Sequence, residues 1–170
     1  VLGIFILFCY FSLEEIEISS KEIALSSKIS TSGNYYAILK IPKINLSQEI
    51  FPTSSPMNNV DKNILLHDES ILPSVSPSHV ILASHSGTSN IAYFKNLYKL
   101  KVNDLVYFYY NDYLYTYEIM KIEEQPKTGT LYLSVEYTDI LTLITCTKNN
   151  NQTQTIYYSK LQNKENIVKN

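Results

Sequence analysis

From Tyr35 onward, apolar residues fall mostly at every second position or in short continuous runs, the pattern of β-strands rather than of long helices. The pattern predicts strands over Tyr35–Ile41, ending at Pro42, and over Ile44–Ile50, ending before Pro52. Further strands are expected at His79–Ser84, Leu105–Tyr110, Tyr113–Ile122, Ile140–Thr145 and Gln154–Leu161. Asn111 and Asp112 separate two of these runs and suit a two-residue hairpin turn. On the second arm of that hairpin, Tyr113, Tyr115, Tyr117 and Ile119 share one face, and Leu114, Thr116, Glu118 and Met120 share the other. Two stretches carry helical spacing instead: Asn59–His67 and Ile91–Leu97. The expected class is therefore all-β, a closed barrel with short helices.

The first 34 residues differ from the body. Val1–Phe11 is apolar and gives about 16 Å of helix, against the ~30 Å of a bilayer core. Residues 1–13 read as a truncated membrane anchor or signal-anchor remnant, with a buried core segment as the other possibility. Cys9 within them is an inert thiol or a lipidation site. Residues 14–34, rich in Ser, Glu and Lys, read as a juxtamembrane stalk, and residues 35–170 as the folded domain.

Composition narrows the function. Hydrophobic residues make up 45% of the 170 and charged residues 18%, enough apolar material for a core. The net charge of −2 provides no basic field for a phosphate backbone, so a nucleic-acid partner is not expected. The two Cys exclude a disulfide scaffold and a cysteine-rich zinc module. All 14 basic residues are Lys, so no side chain can form a guanidinium fork.

Candidate chemistry gathers at the ends of apolar runs. Cys146 closes Leu141-Thr-Leu-Ile-Thr-Cys146 and is followed by polar residues, so its thiol is held yet reachable; a small core Cys is the alternative. Among the three His, His79 opens a strand and His67 follows a helix-like stretch. His85 closes Val80-Ile-Leu-Ala-Ser-His85. If the two strands are neighbours pointing the same way, thiol and imidazole meet at one rim, where the base can exchange a proton with the thiol and with a leaving amine.

These residues resemble the sortase family of cysteine transpeptidases. Leu141–Cys146 is similar to its Leu-x-Leu-(Ile/Val)-Thr-Cys strand. Ala83-Ser-His85 is similar to its Ala-Gly-His block, with Ser84 for Gly, and Ile41-Pro-Lys-Ile44 to its opening strand. Phe94-Lys-Asn-Leu97 with Leu100–Asp104 is similar to a Phe-x-x-Leu…Gly-Asp stretch, with Asn103 for Gly. Tyr117 fits a Tyr-x-(Val/Ile) strand.

The resemblance covers about residues 35–161 and implies an eight-stranded barrel. It implies that Cys146 attacks the Thr–Gly carbonyl of a Leu-Pro-x-Thr-Gly-like sorting signal, with His85 as the acid and base. The implied partners are surface proteins bearing that C-terminal signal and an acceptor amine on peptidoglycan or a pilin. It calls for no metal or cofactor. The implied location is the cell membrane, with one N-terminal anchor and the domain on the extracellular side. The family's Arg on the strand after the Cys falls at Gln154, which offers two N–H donors but no charge. Lys148 and Lys160 are candidate sources of that charge. The alternative reading is a weak or inactive sortase-like module that binds sorting signals.

Overall fold

The computed structural model describes residues 35–129, 133 and 138–167. The anchor and stalk expected within residues 1–34 lie outside the described residues. Among those described, no helix is long and apolar enough to cross a membrane.

Eight strands form one sheet: β1 (Ala37–Ile41), β2 (Leu46–Ile50), β3 (Leu65–Leu66), β4 (His79–Ala83), β5 (Leu105–Tyr110), β6 (Tyr113–Pro126), β7 (Ile140–Cys146) and β8 (Thr153–Asn166). Their spatial order is β2-β1-β5-β6-β8-β7-β4-β3. Every pairing is antiparallel except β4 with β7, which is parallel. The sheet curls into a nearly closed barrel, as the alternation predicts.

Period-two alternation sorts side chains to the two faces. Leu39, Val80, Leu82, Phe108, Tyr115, Tyr117, Leu141 and Leu143 pack in the interior. On the opposite face of the β4–β7–β8 region, Ile81, Ile144, Ile156 and Tyr158 form a second apolar cluster, against which Ala83 and Met120 pack. Tyr109, Tyr115, Tyr117 and Tyr158 are fully buried. Burial pushes the Tyr117 phenol well above its ordinary value.

The β5–β6 hairpin turns at Asn111 and Asp112, with φ of 50° and 66°. Both are left-handed, as a twist-matched two-residue turn requires. At one end of the parallel pair the Asp139 carboxylate accepts from the Ser78 amide and hydroxyl (3.0 Å each) and from the Ser76 hydroxyl (2.9 Å). At the other end Thr145 Oγ1 donates to the Ser84 carbonyl (2.8 Å). These clamps hold β4 and β7 in register, with Ala83 opposite Ile144.

Neither expected helical stretch is an α-helix: the first is a set of turns that leads into β3, the second a run of turns. Between 59 and 67, Asn59 Oδ1 accepts from the Asp61 amide and Asn58 pairs with both the amide and the carbonyl of Leu66. Asn side chains thus take over the backbone groups that a helix would use. In 91–97 the Ala92, Lys95 and Leu97 amides donate three residues back, and the Phe94 amide turns to the His85 carbonyl instead. The short helices are two 3-10 turns, Pro42–Ile44 and Leu97–Lys99. The first of them delays β2 to Leu46.

Candidate active site

β4 and β7 run side by side in the same direction, so their C-terminal ends lie at the same rim. The Ser84 amide still donates to the Ile144 carbonyl (3.2 Å). His85 and Cys146 are the next residues along. The two strands are thus neighbours pointing the same way, as that expectation requires.

Cys146 is the last residue of β7 and is partly exposed. It shares its face with Ile144, so the second apolar cluster leads directly to the sulfur. A narrow pocket beside it is lined by Phe94, Tyr98, Thr145, Lys148, Thr155 and Tyr157 among others. Burial pushes Tyr157 up to about 12, so it stands there as a neutral phenol. Beyond Lys148 the surface opens into a groove of about 600 Å³ bounded by Ser86, Gly87, Thr88, Asn149 and Asn151.

Gln154 lies on β8 directly opposite Cys146, and on its other side it pairs with Gln125 of β6. Direct partners project from the same face of a sheet. Gln154 therefore occupies the cross-strand position next to the sulfur, where the sequence comparison of strands placed it.

His85 is exposed at its tip, and its Nε2 lies 3.0 Å from Asp61 Oδ1. Its carbonyl is held by the Phe94 amide (3.1 Å). The ring is therefore fixed from a segment, 59–63, that the sequence reading took for helix, and Asp61 was missed for that reason. His79 sits at the other end of β4, its Nε2 2.9 Å from Thr142 Oγ1. Desolvation holds it below the ordinary histidine range. The His67 ring accepts from the Glu69 amide (3.3 Å).

Of the two lysines considered as a charge source, Lys148 lines the pocket beside Cys146 and Lys160 lies far from it. Lys148 places its ammonium 3.4 Å from the Tyr98 ring centroid. Lys160 pairs with Ile140, at the opposite end of β7 from Cys146 and about 20 Å along the strand. The ammonium that does reach Cys146 belongs to Lys127, just past β6, with Nζ 3.5 Å from Sγ. Its amide donates to the Gln152 carbonyl (2.7 Å), which extends the β6–β8 ladder by one residue. The expected strand stopped at Ile122, four residues short of β6's end, so nothing along the chain pointed to Lys127.

Three comparisons bear on this arrangement. The family model described as Sortase domain matches residues 39–162. Among solved structures, pilus-related sortase C of Group B Streptococcus is 26% identical, with a TM-score of 0.65 over 77% of this chain and 69% of that one. Sortase C of Streptococcus pneumoniae is 20% identical, with a TM-score of 0.67 over 78% of this chain and 69% of that one. Sortase E1 of Streptomyces coelicolor, solved with a tripeptide in its active site, is 19% identical, with a TM-score of 0.66 over 77% and 90%. The last two likenesses speak for the fold alone. A search of curated proteins by sequence finds no match.

Proposed function

Since the chain belongs to the sortase family, we propose that it is a cysteine transpeptidase in which Cys146 is the nucleophile and His85 the acid and base. The observation that carries this reading is the parallel pairing of β4 with β7, because it delivers both residues to one rim.

In the proposed reaction Cys146 Sγ attacks the carbonyl carbon of the Thr–Gly bond in a Leu-Pro-x-Thr-Gly-like sorting signal. The thiol proton passes to Nδ1 of His85, a C–S bond forms, the C–N bond breaks, and His85 hands that proton on to the departing amine. An incoming amine then attacks the thioester. Its proton passes to His85, the C–S bond breaks and the thiol is restored. Asp61, as acceptor from Nε2–H, fixes the neutral ring with its basic lone pair on Nδ1. The Gln154 carboxamide donates to the oxyanion without a formal charge. The buried cluster of Ile81, Ile144 and Ile156 backs this rim with apolar side chains.

The acceptor is an amine on peptidoglycan or on another surface protein. The proposed setting is the cell surface, with residues 1–13 as the anchor, 14–34 as the stalk and 35–170 as the catalytic domain.

The test incubates the full chain with a panel of Leu-Pro-x-Thr-Gly peptides and a glycine-type amine. Ligated product and a thioester on Cys146 are expected, both lost in Cys146→Ala and His85→Ala. Peptide binding that survives Cys146→Ala, with no turnover by the unmutated protein, favours the inactive signal-binding module instead.

A further inference from the structure

The site has a neutral Gln154 where the sequence resemblance calls for a cation, and the family comparison leaves that charge unassigned. We propose that Lys127 is a catalytic residue that supplies it from the neighbouring strand. The proposal rests on Cys146 being the nucleophile.

Gln125, Gln154 and Cys146 stand in one row across β6, β8 and β7. Lys127 lies two residues beyond Gln125 and therefore on the same face. Its backbone is anchored by the bond to Gln152. Its ammonium ends 3.5 Å from the sulfur, within reach of a charge-assisted contact. Lysine is a point charge on a flexible stem rather than a fork. Lys127 and Gln154 thus divide what one guanidinium would do: the ammonium gives negative charge on sulfur a counter-ion, and the carboxamide donates hydrogen bonds beside it. Lys127 keeps all its protons throughout. The proton that leaves on the amine still comes from His85.

Lys127 is exposed, so its substitution leaves the fold intact, which a melting curve checks. The first measurement needs no peptide: the rate at which iodoacetamide, a neutral reagent, alkylates Cys146 in the full chain. Lys127→Met is expected to slow alkylation about 10-fold, the size of a charge-assisted bond at an exposed site. Lys127→Arg is expected to restore most of the rate. Added salt is expected to slow the unmutated protein and to leave Lys127→Met unaffected.

The second measurement is single-turnover acylation by a Leu-Pro-x-Thr-Gly peptide, expected to fall in parallel with little change in peptide affinity. Equal alkylation by Lys127→Met and the unmutated protein overturns the proposal. So does an acyl group recovered on Lys127 itself, which would make that residue an acceptor. Lys127-dependent alkylation with no acylation by any peptide counts against the transpeptidase reading and leaves the ammonium–sulfur contact standing.

Discussion

Two histidines flank β4, His79 at its start and His85 just past its end, in different surroundings. His85 is tied to an exposed carboxylate at the rim. His79 is half-buried, and its ring meets Thr142, a hydroxyl that is itself fully buried. Desolvation disfavours the charged ring of His79 and holds its folded value below 6.5. The unfolded chain then binds the proton at a higher pH than the native state does. Stability conferred by His79 is whole above about pH 6.5 and is lost as pH falls through that value toward the lower folded one. Thermal melts from pH 7.5 down to pH 5 are expected to show a falling midpoint. His79→Gln, which cannot take the proton, is expected to flatten that decline. A decline of the same slope in the variant would place the sensitivity on other groups.

At the scale of elements, the exit of β4 holds a hydroxyl that does not belong to its surroundings. Ser84 is 5% exposed, and its Oγ has no hydrogen-bond partner among the described residues. The position is the one where the sequence resemblance calls for Gly. Its backbone is fully used, the amide bound to Ile144 and the carbonyl to Thr145. An unpartnered buried hydroxyl costs about 1–3 kcal/mol. Ser84→Ala keeps the Cβ and removes that oxygen, so it is expected to gain about 1 kcal/mol in urea denaturation with an unchanged m-value. A loss of stability would mean that the hydroxyl is satisfied.

The same element shows what the sequence makes legible. β4 and β7 were readable because they are buried on both faces and appear as continuous apolar runs. Each run ends at a residue proposed for the chemistry. β3 was not readable because two residues, Leu65 and Leu66, have no period. The far end of β8, Gln162–Asn166, was missed because its residues are polar and exposed and show no apolar alternation. Asp61 and Lys127 were missed because each reaches the site from a segment whose course only tertiary pairing fixes.

At the scale of the whole molecule, the sheet has two ends, β2 and β3, and an unpaired strand edge invites pairing with another chain. Asn63 spans the gap between them. Its Oδ1 accepts from Gln48 Nε2 (2.7 Å) on β2, and its Nδ2 donates to the Glu49 carbonyl (2.8 Å). Two residues later the chain enters β3, which pairs with β4 and so with the strand that leads to His85. Asn63 is 1% exposed, and loss of its amide leaves the Glu49 carbonyl without that side-chain donor. Asn63→Ala is expected to cost about 1–3 kcal/mol. A double-mutant cycle with Gln48→Ala is expected to show coupling, since the two side chains share a bond. Hydrogen exchange separates a seam from a merely local contact. If Asn63 joins the barrel's ends, its loss speeds exchange in both β2 and β3 while the β6–β8 ladder stays protected. Faster exchange confined to the 58–63 turn would reduce Asn63 to a turn residue and leave barrel closure to the packing of Ile50, Ile64 and Leu66.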